Sequence, residues 1–325
     1  MSSHLKSAEN RLSGRQSQQI NQKMTIILPE FYHAKSALES NNITCISSRD
    51  AARQDVRPLR IGILNIMSNI QTYEFNLLYP LGKSILQIVP VWIKLNTFSY
   101  DTSSQEHLKD LYISFRDAVS EKALDGLIIT GSVAEELEFE EIEYWDEVKS
   151  IIGYAAKNII ATMGIGWGGM ALAKSIGIDK TPLKSKLCGI YSTRNLSTHH
   201  VITGDLDDIF CCPQSRYSGY PDQVLEAERD KGLINLLAYS EETGYTVFET
   251  TDRRFLMHLG HPEYNSGRLR EECLRDRSGK QDVANACVNF DLEKPVNNWR
   301  SHRNEFFSQW IKNIYTETSY NWIST

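Results

Sequence analysis

Between residues 59 and 165 short apolar segments alternate with longer segments of helical periodicity, and this alternation restricts the possible folds more than any other feature. Buried strands are predicted over four segments, which are Leu59–Ile66, Leu86–Ile93, Gly126–Gly131 and Asn158–Ile165. Helices are predicted between them, over Tyr73–Lys83, Gln105–Glu121 and Ile142–Lys157. Strands that alternate with helices form a mostly parallel sheet with helices on both faces, so the α/β class is expected.

The two parts of the chain differ in composition. Residues 1–23 are dominated by Ser, Gln, Asn, Lys and Arg without periodicity, which predicts a disordered arm. Residues 24–325 are predicted to form a single α/β domain, since 41% of the 325 residues are hydrophobic and can supply a sizeable core.

Charge and hydropathy argue against several partners. The net charge of −6 and the lack of a basic run among aromatics give no support for nucleic-acid binding. No apolar run reaches the roughly 18 residues of a membrane span, and no apolar leader follows the N-terminus. The six cysteines show no paired spacing, which favours reduced thiols without a metal site in a cytoplasmic protein.

Candidate ligand-binding residues follow several predicted strands. Ligands of parallel sheets bind at the carboxyl ends of strands, where Thr130-Gly131, Gly164–Gly168 and Gly260-His261 stand. In the segment Gly-His-Pro-Glu-Tyr, His261 and Glu263 have the residue types of a catalytic base and the carboxylate that orients it.

The glycine-rich turn at 164–169 allows three interpretations. A sharp strand-to-helix turn is the usual setting of a catalytic nucleophile and of backbone N–H groups that hold an anion or oxyanion, but here Gly166 takes the nucleophile's place. The same residues spell G-x-G-x-x-G, the dinucleotide fingerprint, although the acidic residue expected about 20 positions later is absent and Lys184 and Lys186 stand there. Glycines needed only for tight packing are the third interpretation.

Longer motifs carry a family resemblance from about Ile26 to Trp310. They are Arg57–Met67, Glu106–Leu108 with Tyr112, Asp125–Gly131, Phe139–Trp145, Lys186–Gly189, Pro213–Tyr217, Gly260–Tyr264 and Trp299–His302. In these segments the chain resembles the homoserine O-acyltransferases of methionine biosynthesis, whose fold is similar to that of class I glutamine amidotransferases. The resemblance implies an acyl group moved from acyl-CoA through a cysteine acyl-enzyme to the hydroxyl of an amino acid.

The resemblance also implies roles for individual residues. His261, Glu263 and Lys186 match catalytic positions, and the backbone N–H groups of Trp167 and Met67 match the oxyanion site. The implied substrate-binding residues are Ser215, Arg216, Tyr264, Arg275 and Glu135. Glutamate at 135 implies a short neutral acyl group, because its charge would repel a succinyl carboxylate. Homodimers are common in this family, so a homodimer is expected.

Gly166 matches the nucleophilic cysteine of the family and cannot form an acyl-enzyme. One hypothesis is direct transfer, in which His261 acts as a general base on an amino-acid-like acceptor, with acyl-CoA or a carrier-bound acyl-phosphopantetheine as co-substrate and without a bound cofactor. A changed reaction on an acyl or carrier-bound substrate and a non-catalytic binding or regulatory homologue are the alternatives. A relocated nucleophile at Cys188, close to Lys186, is a further one.

Overall fold

Strands and helices alternate through most of the described chain. The computed structural model describes residues 25–54, 56–67, 69–101, 105–132, 134–279 and 287–318, and the predicted arm at 1–23 lies outside them. The strands in these ranges are β1 Thr25–Ile27, β2 Thr44–Ile46, β3 Leu59–Leu64, β4 Ile88–Lys94, β5 Ile113–Ser114, β6 Gly126–Ile129, β7 Ala161–Ile165, β8 Thr181–Asn195, β9 Ile209–Gly219, β10 Ile234–Ser240, β11 Gly244–Thr250 and β12 Phe255–His258. The helices are α1 Lys35–Ser40, α2 Ser48–Ala51, α3 Ile70–Leu81, α4 Gln105–Leu111, α5 Phe115–Glu121, α6 Trp145–Asn158, α7 Trp167–Ser175, α8 Asp222–Asp230, α9 Ser266–Gly279 and α10 Arg300–Glu317, with a 3-10 turn at Phe139–Glu141.

The described strands form one mixed sheet in the order β2-β1-β4-β3-β6-β7-β12-β11-β10-β8-β9, and β5 pairs with β4. Every pairing from β2 to β12 is parallel, as the alternation predicted. The pairings from β12 to β9 are antiparallel. The sheet is therefore mostly parallel, with an antiparallel extension that the sequence did not reveal.

Helices cover both faces of the parallel part, as expected. On one face Ile61 and Ile63 pack with residues of α3 and α10, while on the other Leu127 and Ile129 pack with residues of α6 and α7. Each fully buried aliphatic side chain of this kind contributes about 1.5–3 kcal/mol. Within the described ranges, no helix is long and apolar enough to cross a membrane.

The single helix predicted over Gln105–Glu121 is wrong. The structure divides it into α4 and α5, separated by β5. The Ser114 hydroxyl accepts a hydrogen bond from the backbone N–H of Asp117 at 3.1 Å and so begins a new helix. Ile113 and Ser114 pair with the end of β4, and this tertiary pairing outweighs the local helical periodicity.

Candidate active site

The carboxyl ends of four neighbouring parallel strands, β3, β6, β7 and β12, meet at one edge of the sheet. A cleft of about 390 Å³ opens above this edge. It is lined by residues that follow these strands and by residues of β8, β9 and α9, namely Met67, Gly131, Ser132, Glu135, Glu136, Trp167, Lys186, Ser215, Tyr217, His261, Tyr264, Glu272 and Arg275. The expected position of Gly166 at the carboxyl edge is confirmed, because it directly follows β7 and precedes α7.

The glycines of the turn at 164–169 serve close packing. A Cβ atom on Gly164 would lie 2.3 Å from the carbonyl oxygen of Gly168, and one on Gly168 would lie 2.2 Å from that of Ile129. Gly166 itself has φ 55° and ψ −119°, and its N–H donates to the carbonyl of His258 at 2.8 Å. These contacts explain the G-x-G-x-x-G pattern by the approach of α7 to β6 and β7, which favours the packing interpretation over dinucleotide binding.

His261 belongs to a buried hydrogen-bonded chain. Its Nδ1 lies 2.9 Å from Glu263 Oε1, which also accepts a hydrogen bond from the Tyr73 hydroxyl. The imidazole stacks on Tyr264 with 4.3 Å between ring centroids. Because a carboxylate only accepts hydrogen bonds, Nδ1 carries a hydrogen, and in the neutral imidazole Nε2 keeps its lone pair. Burial by itself would lower the pKa of His261, but the nearby Glu263 carboxylate, with Glu272 and Glu135 farther away, raises it.

The imidazole of His261 occupies the space directly over Gly166. A Cβ atom at position 166 would lie 2.8 Å from His261 Cε1 and 2.9 Å from Nε2. A Cβ atom on Gly131, across the cleft, would lie 3.4 Å from Cε1. The Cε1–Nε2 edge of the imidazole therefore faces the place where a side chain at the turn would begin.

The two expected oxyanion donors differ in their surroundings. Trp167 is the first residue of α7, so its backbone N–H has no carbonyl partner within the helix and lies at the positive end of the helix dipole. The N–H of Met67 donates to Asn65 Oδ1 at 3.2 Å. Trp167 is thus the better placed donor. The N–H of Met67 would have to leave Asn65 Oδ1 before it could donate to an oxyanion.

Glu272 on α9 is the centre of a charged wall of the cleft. Its carboxylate lies 2.8 Å from Arg268 Nη2 and 3.5 Å from Lys186 Nζ, and it accepts hydrogen bonds from Arg275 and from Ser215. Burial would raise the pKa of Glu272, but the three cations together lower it. The structure thus brings Lys186, Ser215 and Arg275 together, around a glutamate that the sequence did not single out.

Glu135 lines the same cleft beside β9. Its carboxylate accepts a hydrogen bond from the backbone N–H of Tyr217 at 3.1 Å, and Lys186 lies over the Tyr217 ring. Burial raises the pKa of Glu135 to about 6, although His261, Arg216 and Lys186 act in the opposite direction. Glu135 is therefore mostly ionised at neutral pH and becomes neutral in mild acid.

Arg216, predicted to contact the substrate, lies outside the cleft lining. Adjacent residues of a strand point to opposite faces, so Ser215 and Tyr217 line the cleft and Arg216 points away. Its guanidinium donates to Gln214 Oε1 at 3.1 Å, to the carbonyl of Ser218 at 2.8 Å and to that of Thr243 at 2.7 Å. These contacts favour a role for Arg216 in positioning β9 beneath the cleft.

The expectation that all cysteines are unpaired is wrong. Cys273 and Cys287 form a disulfide, and the buried Cys188 sulfur lies against it. The sequence did not reveal this group because Cys188 is separated from the other two by 85 and 99 residues. Cys188 is absent from the cleft lining, which removes support from the relocated-nucleophile hypothesis.

A second group of metal-binding residue types, His33, Glu74 and His107, also comes together. The buried Glu74 carboxylate already accepts hydrogen bonds from the hydroxyls of Tyr32 and Tyr112 and contacts His107 Nε2 at 2.7 Å. These partners account for the carboxylate within the described structure, so the group fits a structural hydrogen-bond network.

We expect the activity of this site to rise with pH as His261 loses its proton. Because the nearby carboxylates raise the pKa of His261, the acidic limb of kcat/KM should lie above the ordinary histidine value of about 6.5. Glu263→Gln keeps an acceptor for Nδ1 but removes the charge that stabilises imidazolium, so the limb should move to lower pH. Glu249→Gln, which alters a buried carboxylate outside the cleft lining, is the matched control. A limb that stays in place in Glu263→Gln would mean that another group titrates.

The chain is similar to known proteins along most of its length. The family described as homoserine O-succinyltransferase matches residues 25–320. The chain is similar to a homoserine O-acetyltransferase of Bacillus cereus, with 36% identity over 304 residues that cover 91% of this chain and 99% of the relative. A homoserine O-acetyltransferase of Acetivibrio thermocellus is 36% identical over 303 residues, covering 91% and 98% of the two chains.

Among solved structures, a glutamine amidotransferase from Thermotoga maritima aligns with 81% of this chain and 100% of its own, with a TM-score of 0.51 and 13% identity. The glutaminase domain of a Trypanosoma brucei CTPS aligns with 81% of this chain and 96% of its own, with a TM-score of 0.50 and 10% identity. At these identities the likeness concerns the fold alone, which is that of the class I glutamine amidotransferases.

Proposed function

The chain belongs to the homoserine O-succinyltransferase family, and from that premise we propose that it moves an acyl group directly from a thioester to the hydroxyl of a homoserine-like amino acid. No acyl-enzyme forms on this route. The observation that carries the proposal is the position of His261, whose Nε2 fills the space above Gly166 while its Nδ1 keeps the contact with Glu263. A general base is therefore retained beside a turn that has no nucleophile.

The proposed reaction balances through His261 alone. Nε2 takes the proton of the acceptor hydroxyl as its oxygen bonds to the acyl carbon of the thioester. The carbon–sulfur bond then breaks, and the imidazolium returns the proton to the leaving thiolate. Glu263 holds the imidazole and stabilises its charged form, and Tyr73 fixes the Glu263 carboxylate by donating a hydrogen bond to it. General-base assistance of this kind contributes about a hundred- to ten-thousand-fold.

The negative charge on the tetrahedral carbon's oxygen requires a donor close to the turn. We assign this role to the backbone N–H of Trp167 at the start of α7, with Met67 as the second donor once its bond to Asn65 is released. Loss of one such donor typically costs about a hundred- to a thousand-fold in turnover.

The charged wall suggests how the amino-acid acceptor is held. A guanidinium suits a carboxylate in a two-bond pairing, so Arg275 is the proposed partner of the acceptor's carboxylate, with Lys186 beside it. Glu272 and Glu135 line the same cleft and would attract the acceptor's ammonium group. Ser215 completes the polar lining.

The charge of Glu135 bears on the acyl donor. An ionised Glu135 in the cleft would repel the free carboxylate of a succinyl group and tolerate an acetyl group. The names of the relatives from Bacillus cereus and Acetivibrio thermocellus, both homoserine O-acetyltransferases, support the same choice. We therefore propose an acetyl thioester as donor, carried by coenzyme A or by a phosphopantetheine arm.

The proposal is tested by incubating the protein with acetyl-CoA or succinyl-CoA and with homoserine or serine. We expect free thiol and O-acetylated amino acid to appear together, only when both substrates are present, and faster with the acetyl donor. Because direct attack requires both substrates at once, initial-rate lines should intersect and not run parallel as in a ping-pong reaction. Glu135→Gln should raise succinyl use relative to acetyl use by at least about tenfold, equivalent to about 1.4 kcal/mol.

A non-catalytic homologue is the competing candidate, favoured by glycine at the nucleophile's position. It predicts that no donor and acceptor pair releases thiol, while calorimetry still detects homoserine binding that is lost in Arg275→Ala. Parallel initial-rate lines would instead require an acyl-enzyme and would contradict direct transfer.

A further inference from the structure

Three buried cysteine sulfurs from distant parts of the chain converge beside the cleft. Cys188 on β8 lies with its Sγ 3.1 Å from that of Cys287 and 3.4 Å from that of Cys273 on α9. Their residues are 7%, 6% and 3% exposed, respectively, so solvent hardly reaches the group. A disulfide uses only two of these sulfurs, whereas the fold brings three to one point.

The backbone holds this sulfur group in place. Next to Cys287, Val288 forms a parallel bridge with Gly189: its N–H donates to the carbonyl of Cys188 at 2.9 Å, and its carbonyl accepts from Ile190 at 2.9 Å. Gly189 has φ 138°, and a Cβ atom there would lie 2.2 Å from the Val288 carbonyl oxygen. A glycine is therefore required for the segment with Cys287 to reach β8, so the backbone itself brings Cys287 to Cys188.

We propose that, in the reduced chain, Cys188, Cys273 and Cys287 bind one thiophilic divalent cation of the zinc class. Thiolates are the ligands that such soft cations prefer, and three protein ligands leave one position for water or another group. Sulfurs bound to a single zinc ion at about 2.3 Å lie roughly 3.8 Å apart. The Cys188 contacts of 3.1 Å and 3.4 Å therefore need to open by about 0.4–0.7 Å. The Cys273 and Cys287 sulfurs, bonded at about 2.05 Å in a disulfide, need to separate by about 1.8 Å after reduction. The site is separate from the acyl-transfer chemistry.

The disulfide and the metal site are alternative states of the same sulfurs. A thiol reductant supplies two electrons and two protons to the Cys273–Cys287 disulfide and is itself oxidised to a disulfide. The three resulting thiols then bind the cation and release their protons to solvent, which leaves a group with net charge −1. The cationic side chains of Lys186 and Arg275, each two residues from a ligand, favour that negative charge.

The bound cation would join two elements that line the cleft, β8 and α9. Lys186 precedes Cys188 by two residues on β8, and Glu272 directly precedes Cys273 on α9. A bond from each of these cysteines to one ion would fix β8 and α9 to each other directly behind the Lys186–Glu272 ion pair, where the two atoms are 3.5 Å apart.

The test is a cobalt titration of the full-length protein, reduced with a phosphine under anaerobic conditions. We expect one equivalent of Co²⁺ to bind with near-ultraviolet sulfur-to-cobalt charge-transfer absorption and to be displaced by Zn²⁺. Zinc should also protect three cysteines from alkylation, as counted by mass spectrometry. Cys188→Ser should weaken metal binding by more than about a hundred-fold. Loss of a residue that only hydrogen-bonds to a metal ligand already costs up to about a hundred-fold, and loss of the ligand itself should cost more.

Cys45→Ser and Cys211→Ser, which change cysteines outside the group, are the matched controls and should bind cobalt normally. Reduced wild-type protein that takes up no Co²⁺ or Zn²⁺ would overturn the proposal and leave a disulfide as the only state. Cobalt binding that survives in Cys188→Ser, Cys273→Ser and Cys287→Ser alike would overturn it as well. The titration of the wild-type protein tests the proposal without any variant, so the test remains valid even if a variant fails to fold.

Discussion

Gly166→Cys is expected to turn a protein that carries no acyl group into one that is acylated stoichiometrically by a thioester. The new thiol would lie at the start of α7, where the helix dipole stabilises a thiolate, and next to the His261 imidazole, whose pKa is raised. A thiolate–imidazolium pair should therefore form at neutral pH. The measurement is the intact mass after incubation with acetyl-CoA, with one acetyl group added to the variant and none to the parent.

The substitution has a structural cost. Gly166 has positive φ, and a β-carbon would lie within 3 Å of the His261 ring, so the imidazole must move away. A non-glycine residue in such a conformation costs about 1–3 kcal/mol, which should appear as a lower melting temperature. Gly166→Ala imposes the same strain without a thiol and is the control, expected to melt early and stay unmodified.

Two outcomes would count against this interpretation of the turn. A folded Gly166→Cys variant that resists acylation would mean that the donor does not bind above Gly166. A parent chain that itself gains an acyl group would mean that another residue is a nucleophile, and peptide mapping would identify it.

His261→Ala is expected to lower the rate of acyl transfer by about a hundred- to ten-thousand-fold, the usual contribution of a general base. The loss should fall mainly on kcat, since Arg275 and Lys186, the proposed partners of the acceptor's carboxylate, are unchanged in this variant. His261→Ala leaves a cavity above Gly166 that can hold free imidazole, so added imidazole should restore part of the acyl-transfer rate of this variant. His261→Gln, which fills more of the space, should be equally slow and should not be rescued.

His199→Ala changes an exposed histidine outside the cleft lining and is the matched control. Turnover that is indifferent to the loss of His261 would remove the base from the mechanism. Any acyl transfer would then come only from holding the two substrates together above the turn. If no transfer occurs even in the parent protein, the non-catalytic alternative is favoured.

Much of the fold follows from local patterns. Short apolar segments separated by helical ones predicted β3, β4, β6 and β7 to within a few residues, because buried parallel strands need continuous apolar sequence. The parallel order of these strands then predicted that Gly131, Gly166 and His261 would meet at one edge. The antiparallel strands β8 to β11 escaped prediction, since β8 is polar over much of its length and pairs with a strand that follows a long loop.

The site was predicted in part for the same reason. His261 and Glu263 are two residues apart, so their contact is local. The hydrogen bond from Tyr73 to Glu263 spans 190 residues, and in the sequence Tyr73 looks like an ordinary core tyrosine. Strand alternation does forbid Ser215 and Arg216 from facing the same cleft, and that rule applied to the sequence would have excluded Arg216 from the lining.

By itself the sequence determined the strand and helix alternation, the glycine turn without a nucleophile, and the pairing of His261 with a nearby carboxylate, because each is a short-range pattern of residue types. Only the tertiary structure decided what those residues meet. The imidazole fills the space over Gly166, Glu272 gathers three cations, and Cys188, Cys273 and Cys287 touch across as many as 99 residues. Such contacts depend on how layers pack against each other, and no periodicity along the chain encodes them.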